Sequence, residues 1–390
     1  MKTGRFQHLN CILIRLFRVY FRSVPAKSKG DEKPCNGTFF AIGNPLLDIN
    51  AIVDSEFLEK YKLEANDAIL ATPEHEELFQ EIKHHKQVQF FVGGSAQNMM
   101  RTIIWFLQKP KVAAYMGCVG NDASFDRLQE LADSAGLITS YQIKSGFPTG
   151  KCAVLTTEHS RSMVASLGAA QHFTVDYLDI PENRLLFENA KIICCEAFFI
   201  QSSFDSLLEL AEHAYEYQKI FCITLSSKHV VKKRNGNHLL TAWPYADYIF
   251  GYEEETKLFA KEHLHIQTDD LHAIITALLD IPKLNKSRPR IIIISRLLER
   301  TLVGKGTEIT EYTWKWPPHI ADTHGCGEAF VGGIALKAFH VCSGYLAYMA
   351  LDKSIDESVK AGIYCAYECL QQTGCTFPDR VSYDPVTFWK

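Results

Sequence analysis

The chain has 390 residues, of which 47% are hydrophobic and 22% charged, and its formal net charge is −4. This composition is typical of a globular protein and excludes disorder or collagen-like order. The apolar runs, such as residues 291–294, are far too short to cross a bilayer, so we expect no membrane span. An acidic balance gives no electrostatic reason to bind nucleic acid, and no such partner is expected.

The N-terminus differs in charge from the rest of the chain. Residues 1–30 carry seven basic side chains and no acidic one, and Arg15, Arg18 and Arg22 recur among apolar residues. Such a segment is typical of a mitochondrial transit peptide, with a disordered extension as the alternative. We therefore exclude residues 1–35 from the predicted fold.

The twelve cysteines form no C-x-x-C pair, and several lie in apolar, strand-like runs. This pattern indicates buried, reduced thiols and favours the cytoplasm or nucleus. The mitochondrion is the alternative location if the N-terminal segment is a transit peptide.

Strand and helix signals alternate along the chain. In chain order, we predict strands at 38–42, 47–53 and 88–92, helices at 73–84 and 95–108, and short antiparallel strands at 152–156 and 163–166. Buried strands then follow at 191–195, 220–225, 247–250 and 290–295, with helices at 203–217, 253–264, 268–280 and 327–340. Apolar strands without alternation, joined by helices, indicate a parallel sheet covered on both faces. The predicted class is α/β, with a mostly parallel sheet flanked by helices and a small β lid.

The strongest local signal is the segment Asp322–Gly333. Gly325 and Gly327 let the backbone turn sharply and approach a ligand, and the following helix points free amides at it. Glu328 lies in the first helical turn. A carboxylate beside an anion-binding turn suits phosphoryl transfer to an alcohol. The alternative is an ordinary helix start with an acidic residue.

This segment resembles the D-T-x-G-A-G-D-x-F-x-G-G signature of the ribokinase-type carbohydrate kinases. Within that superfamily, further segments resemble the adenosine kinase family in order and spacing: 43–49, 93–98, 148–150, 161–162 and 373–378. The resemblance covers residues 37–380. It implies one ribokinase-like kinase domain over 36–390, with the lid built from about 46–66 and 138–168.

The resemblance also implies an activity: ATP-dependent phosphorylation of the adenosine 5′-hydroxyl to AMP, a reaction of purine salvage, with Mg²⁺ as cofactor. Adenosine and ATP are the implied partners, and a monomer is expected. Glu328 takes the place of the catalytic base. The implied anion hole consists of the backbone amides of Gly325, Cys326 and Gly327.

The remaining site residues follow from the same resemblance. The implied substrate-binding residues are Asn44, Asp48, Gly93, Gly94, Asn98 and Phe198; Arg161 and Asp322 would contact phosphate, and Glu255 would hold Mg²⁺ through water. A carboxylate can accept two hydrogen bonds from a vicinal diol, which fits Asp48. The alternatives are a turn cap for Asp48, core packing for Phe198 and a surface arginine for Arg161.

The sequence departs from the family pattern mainly where ATP would bind. Glu328 replaces Asp, Tyr252 replaces Asn, and Leu297 replaces a glycine that approaches phosphate. Ala68 replaces a Gln near adenine, and Ile363 replaces a His near the ATP base. Three hypotheses remain: a working kinase with retuned activity, a catalytically weak pseudokinase that binds nucleoside, or a related nucleoside or sugar kinase.

Overall fold

The chain folds into two β-sheets with helices packed around them. A computed structural model describes residues 34–65, 68–85, 87–157, 161–226, 228–296, 300–317, 339–372 and 374–389. The strands are β1 Phe39–Ile42, β2 Leu46–Ile52, β3 Ala68–Leu70, β4 Gln89–Gly93, β5 Ala113–Val119, β6 Ile138–Ile143, β7 Lys151–Thr156, β8 Arg161–Ser166, β9 Ile192–Glu196, β10 Ile220–Thr224, β11 Tyr248–Tyr252, β12 Ile291–Ser295, β13 Arg300–Lys305 and β14 Glu308–Thr313. The helices are α1 Ser55–Lys60, α2 Glu76–Ile82, α3 Ser95–Leu107, α4 Ala123–Ser134, α5 Pro181–Glu188, α6 Ile200–Glu216, α7 Lys228–Val231, α8 Lys233–Ala242, α9 Glu253–His263, α10 Leu271–Asp280, α11 Phe339–Met349, α12 Ile355–Leu370 and α13 Pro385–Phe388.

The large sheet has nine strands in the order β14-β13-β12-β11-β10-β9-β1-β5-β6. From β12 to β6 every neighbouring pair is parallel, and β13 and β14 add antiparallel strands at one edge. Every residue of β1, β5, β9 and β12 is buried. Burial on both faces explains why these strands lack period-2 alternation. The predicted α/β class with a mostly parallel sheet is confirmed.

The small sheet has five strands in the order β3-β8-β7-β2-β4. One face packs against α1 and α2, whose Phe57, Leu58 and Phe79 join a core with β-strand residues such as Ile49. The antiparallel pair predicted near 152–166 is present as β7 and β8.

The predicted bounds of the lid were partly wrong. Residues 138–143, placed in the lid, form β6 and pair with β5 at the edge of the large sheet. Conversely, β3 and β4 lie outside the predicted bounds of 46–66 yet belong to the small sheet. Short strands of either sheet carry the same local apolar pattern, and long-range pairing decides which sheet they join.

Side-chain caps set where several helices begin. The prediction placed a helix at 268–280, but α10 begins at Leu271, because the Asp270 side chain accepts the His272 amide at 3.0 Å. Asp54 and Asp122 cap α1 and α4 in the same way, accepting the amides of Phe57 and Phe125. An acceptor at this position satisfies an amide that the helix leaves unpaired.

Other expectations have mixed outcomes. The predicted N-terminal extension and most of the predicted helix at 327–340 lie outside the described residues. Within the described ranges every cysteine is a free thiol, and most of these thiols are buried. No helix in those ranges is both long and apolar enough to cross a membrane.

A buried ion cluster ties the amino ends of two central strands together. Asp247, at 1% exposure, precedes β11, and its Oδ1 lies 2.8 Å from Lys283 Nζ and 2.8 Å from Arg288 Nε. Its Oδ2 accepts the Phe221 amide of β10 at 3.0 Å. A buried carboxylate with several donors is costly to remove, because its partners then lose their compensating charge.

Replacing Asp247 by Asn is therefore expected to lower the free energy of unfolding by about 3–5 kcal/mol. Urea denaturation at neutral pH measures this change. The matched control is Asp356→Asn, which breaks an exposed ion pair with Lys360 and is expected to leave stability almost unchanged. Equal effects of the two variants would contradict the assignment of Asp247 as a buried anchor.

Candidate active site

The strand order of the large sheet reverses at β1, and we call the ligand site expected there the crevice. β1 pairs with β5 on one side and with β9 on the other, and all three are parallel. In open α/β sheets, ligands bind outside the carboxyl ends of the strands at such a point. Asn44 follows β1 at this edge, and Glu196 is the last residue of β9. The described residues predicted to bind nucleoside gather around this crevice.

Asp48 lies on β2 of the small sheet, between β4 and β7. Its register partners are Phe91 and Cys152. A Cβ on Gly93 would lie 2.0 Å from Asp48 Oδ1, so the carboxylate occupies the space that only glycine leaves there. Burial raises the pKa of the Asp48 carboxyl from 3.8 to about 7, although Arg161 favours the ionised form. The Asp48 carboxyl is thus expected to change its protonation state near neutral pH.

Gly94 and Asn98 lie at the start of α3, beside the loop after β1. Gly94 has φ +84, and a Cβ on it would lie 2.3 Å from the Asn44 carbonyl oxygen. A side chain is excluded there by both backbone conformation and space. The Asn98 side-chain oxygen accepts from Arg101 Nη1 at 2.9 Å, which fixes the orientation of its amide. The structure thus brings Gly94 and Asn98 together on one helical turn.

Gln97 holds the same turn from inside. It is fully buried, and its side-chain nitrogen donates to the Gly93 carbonyl at 3.1 Å. Its side-chain oxygen accepts from the Tyr141 hydroxyl of β6. This bridge connects the end of β4 to the large sheet.

Asn44 and Phe198 occupy the other side of the crevice. The Asn44 side chain, at 4% exposure, donates to the Phe198 carbonyl at 3.3 Å and accepts from the Ser202 hydroxyl at 2.7 Å. Asn44 therefore fixes the segment that carries Phe198. The Phe198 ring is half-buried and packs at the border of the main core. It is available as one wall of a pocket, in addition to its core contacts.

Arg161 shares a sheet face with Asp48. The strand registers align Arg161 with Thr156 and Thr156 with Ile52, and Ile52 lies four residues from Asp48 on β2. Side chains two or four residues apart on a strand point to the same face. Arg161 is 5% exposed, so the alternative of a surface arginine is wrong. Its charge lies close enough to Asp48 to lower the pKa of that carboxyl against the effect of burial.

A small pocket of about 20 Å³ lies at the carboxyl ends of β10, β11 and β12. It is lined by the hydroxyl-bearing residues Thr224, Ser226, Tyr252 and Ser295, together with Glu255. Oε1 of Glu255 accepts the Tyr252 amide at 2.8 Å, and burial raises the pKa of this carboxyl to about 7. Mg²⁺ prefers oxygen donors of this kind. The same pocket is also lined by Phe250, Ile293, Val341 and Cys342. Within the described ranges, no group of three His, Cys, Asp or Glu residues could hold a metal ion by itself.

Arg296 and Arg300 flank residues 297–299, close in sequence to Ser295 of this pocket. Arg296 Nε lies 2.7 Å from Glu253 Oε2, and Arg300 pairs with Glu311. Both guanidinium groups thus have acidic neighbours. Leu297, which replaces a glycine of the family pattern, lies outside the described residues, as do Asp322, Gly325, Cys326, Gly327 and Glu328.

Sequence reasoning missed Glu196. This side chain is buried at the end of β9 and accepts amides from both Asn44 and Ala96. The available signal was a carboxylate directly after an apolar parallel strand, at the edge where ligands bind. Arg101, which orients Asn98, was also missed; its position one helical turn after Asn98 is the corresponding signal.

The chain is similar to known proteins over most of its length. The sequence model of the pfkB family carbohydrate kinases matches residues 56–381. Adenosine kinase 2 of Arabidopsis thaliana is 33% identical over 353 residues, covering 90% of this chain and 98% of the relative. Adenosine kinase of Dictyostelium discoideum is 33% identical over 343 residues, covering 86% and 95%.

Solved structures agree with the sequence relatives. Anopheles gambiae adenosine kinase, in complex with P1,P4-di(adenosine-5) tetraphosphate, has a TM-score of 0.80 and 34% identity, covering 90% of this chain and 100% of that one. Schistosoma mansoni adenosine kinase, in complex with 2-fluoroadenosine, has a TM-score of 0.79 and 28% identity, with coverage of 90% and 99%. The predicted ribokinase-like fold and the predicted resemblance are confirmed. The chain therefore belongs to the pfkB family of carbohydrate kinases and groups there with the adenosine kinases.

Proposed function

We propose that the chain transfers the γ-phosphoryl group of ATP to the 5′-hydroxyl of adenosine, giving AMP and ADP. The observation that carries this proposal is the grouping of Asp48, Gly94 and Asn98 around one crevice of a fold shared with adenosine kinases. A carboxylate beside a side-chain amide and a half-buried backbone turn offers several acceptors and donors to a ribose. The phosphoryl donor, ATP, is inferred from membership of the kinase family.

Each described residue has a physical role in this proposal. Asp48 accepts the two ribose hydroxyls, and Asn98, oriented by Arg101, hydrogen-bonds the sugar. Gly94 lets the backbone approach the sugar, since a side chain there would clash with Asn44. Phe198 supplies an apolar wall for the base, and Asn44 holds its segment. Arg161 supplies positive charge on the sheet face of Asp48.

The chemical step is assigned to residues 322–328 from the sequence. The bond from the adenosine 5′-oxygen to the γ-phosphorus forms while the bond from that phosphorus to the bridging oxygen of ADP breaks. The hydroxyl proton passes to the Glu328 carboxylate, and the amides of residues 325–327 hold the developing charge. Asp322 contributes to the phosphate site. Closure of the lid over the nucleoside would exclude water from this step.

Mg²⁺ belongs to the proposal through Glu255. A single carboxylate among hydroxyl groups fits an ion that keeps most of its waters and binds the phosphates of its substrate. Bound there, the ion would neutralise charge on the ATP phosphates. Glu255 would reach it through water, because one of its oxygens already accepts the Tyr252 amide.

A nucleoside-binding protein with weak turnover is the second candidate. Tyr252 borders the pocket of Glu255, and the pairing of Arg296 and Arg300 with carboxylates reduces the positive charge available to ATP. The crevice around Asp48 is independent of these residues. Adenosine binding without phosphoryl transfer would therefore identify this candidate.

The proposal is tested by incubating the full chain with Mg-ATP and adenosine and measuring AMP by chromatography. AMP equimolar with ADP is expected, whereas ATP without nucleoside should yield little ADP. Inosine, guanosine and ribose serve as parallel substrates, because Ala68 leaves the base preference open. Preferred turnover of one of these would replace adenosine as the substrate, and thermal stabilisation by adenosine without AMP would favour the second candidate.

A monomer in the cytoplasm or nucleus completes the proposal, with the mitochondrion as the alternative location. The expectation of a monomer comes from the sequence, which shows no dedicated oligomerisation motif. Light scattering of the purified chain tests the first point. Imaging tagged chains with and without residues 1–35 tests the second, because loss of a mitochondrial signal on truncation would establish a transit peptide.

A further inference from the structure

Glu196 is a buried carboxylate at the crevice that the proposed reaction does not use. It is 1% exposed. Its Oε1 accepts the Asn44 amide at 3.0 Å, and its Oε2 accepts the Ala96 amide at 3.1 Å. The Ser95 hydroxyl also hydrogen-bonds the carboxylate. Each oxygen thus holds a different segment of the backbone.

The two segments carry the predicted nucleoside-binding residues. Asn44 lies in the loop that leads into β2 and Asp48. Ala96 lies in the first turn of α3, between Gly94 and Asn98. Glu196 therefore connects the backbone segment that leads to Asp48 with the segment that carries Gly94 and Asn98.

The backbone is closely packed around this carboxylate. A Cβ on Gly43 would lie 2.5 Å from Glu196 Oε1, and a Cβ on Gly94 would lie 2.3 Å from the Asn44 carbonyl oxygen. Neither segment has room for a side chain at these contacts, so a small displacement of one is transmitted to the other.

The ionised form of Glu196 fits this geometry, because both of its oxygens meet N–H donors. Burial nevertheless raises the pKa of the Glu196 carboxyl to about 7, and the amides of Asn44 and Ala96 oppose that rise. The titratable groups close enough to interact electrostatically with it include Tyr115 of β5 and Cys195 of β9. Burying a carboxylate costs free energy unless its hydrogen bonds are made. The hydrogen bonds from the two segments therefore stabilise the ionised form of Glu196.

We propose that Glu196 is a positioning residue for adenosine binding, which sets the separation between Asp48 and the helical turn of Gly94 and Asn98. This inference rests on the proposed function. A role in folding alone would not weaken the binding of one substrate selectively. Here we expect weaker binding of the nucleoside and unchanged binding of ATP. Misplacement of binding groups by about 1 Å can cost about 10²-fold in rate.

Glu196→Gln tests the proposal with little change of volume. The amide group of Gln replaces one acceptor by a donor, which then opposes an N–H of Asn44 or Ala96. We expect the KM for adenosine to rise at least about tenfold, with the KM for ATP and kcat within about twofold. Hydrogen exchange in the ligand-free protein should become faster in peptides covering 43–46 and 94–98.

Asp247→Asn is the matched control, because Asp247 is an equally buried carboxylate that accepts a backbone amide at the opposite end of the sheet. This control should lower the Tm and leave the KM for adenosine unchanged. If Glu196→Gln lowers the Tm and leaves the KM for adenosine unchanged, Glu196 is merely structural and the proposal is wrong.

Two further outcomes are distinguishable. If the unaltered chain neither binds nor phosphorylates adenosine, the proposed function fails. The hydrogen-exchange data then still decide whether Glu196 joins the two backbone segments, and unchanged exchange in Glu196→Gln overturns that claim. If Glu196→Gln does not fold, Glu196→Asp is measured. Its shorter side chain reaches one of the two amides, and an unchanged KM for adenosine would again overturn the proposal.

Discussion

Replacing Glu328 by Gln is expected to reduce AMP formation by about 10²–10⁴-fold, the usual contribution of a general base. Gln has nearly the shape of Glu but cannot take the proton of the 5′-hydroxyl. The anion hole of residues 325–327 and the nucleoside crevice remain, so adenosine should still stabilise the variant against heat. Single-turnover formation of AMP with excess enzyme measures the chemical step apart from product release.

Glu328→Asp is the matched variant, because it keeps the carboxylate and shortens its reach by one methylene. An increase in rate would show that the longer side chain is a handicap at this position, whereas a decrease would show that the surrounding backbone has adapted to Glu. If Gln supports the same rate as Glu, the base lies elsewhere. If the unaltered chain and both variants bind adenosine without making AMP, the chain is the nucleoside-binding alternative.

Five strands of the large sheet, β1 and β9 to β12, could be predicted from local sequence, whereas β5, β13 and β14 were not among the predicted strands. Strands such as Ile291–Ser295 are uninterrupted apolar runs between turn signals, because helices cover both of their faces. The membership of short strands in one or the other sheet could not be predicted. Residues 138–143 and 151–156 each form a six-residue strand, but the first pairs with β5 and the second with β2.

The candidate site divides in the same way. Asp48, Gly94 and Asn98 could be named because each lies in a short segment that resembles a family. Glu196 could not be named, since its partners Asn44 and Ala96 are 152 and 100 residues away along the chain. Its role depends on parallel pairing of β9 with β1, which no local pattern specifies. The structural support of a site is thus harder to predict than its contacting residues.

Replacing Asp48 by Asn is expected to lower kcat/KM for adenosine by about 10²-fold or more, because hydrogen bonds to a charged group contribute about 1.5–3 kcal/mol each. The amide of Asn keeps one acceptor and turns a donor towards the ribose hydroxyls. The kcat at saturating adenosine should fall less than kcat/KM, because the loss is mainly in binding. Initial rates at saturating Mg-ATP over a range of adenosine concentrations measure both constants.

The pH dependence separates Asp48 from the other carboxylates of the site. Burial raises the pKa of Asp48 to about 7, and the ionised form is the one that accepts both hydroxyls. Below about pH 7 the protonated fraction grows, so kcat/KM for adenosine should fall about tenfold per pH unit there and be constant above about pH 8. Asp48→Asn should remove the part of this fall that belongs to Asp48. Burial also raises the pKa values of Glu196 and Glu255 to about 7. A pH profile that persists in Asp48→Asn and disappears in Glu196→Gln would therefore assign the ionisation to Glu196 and contradict the role given to Asp48.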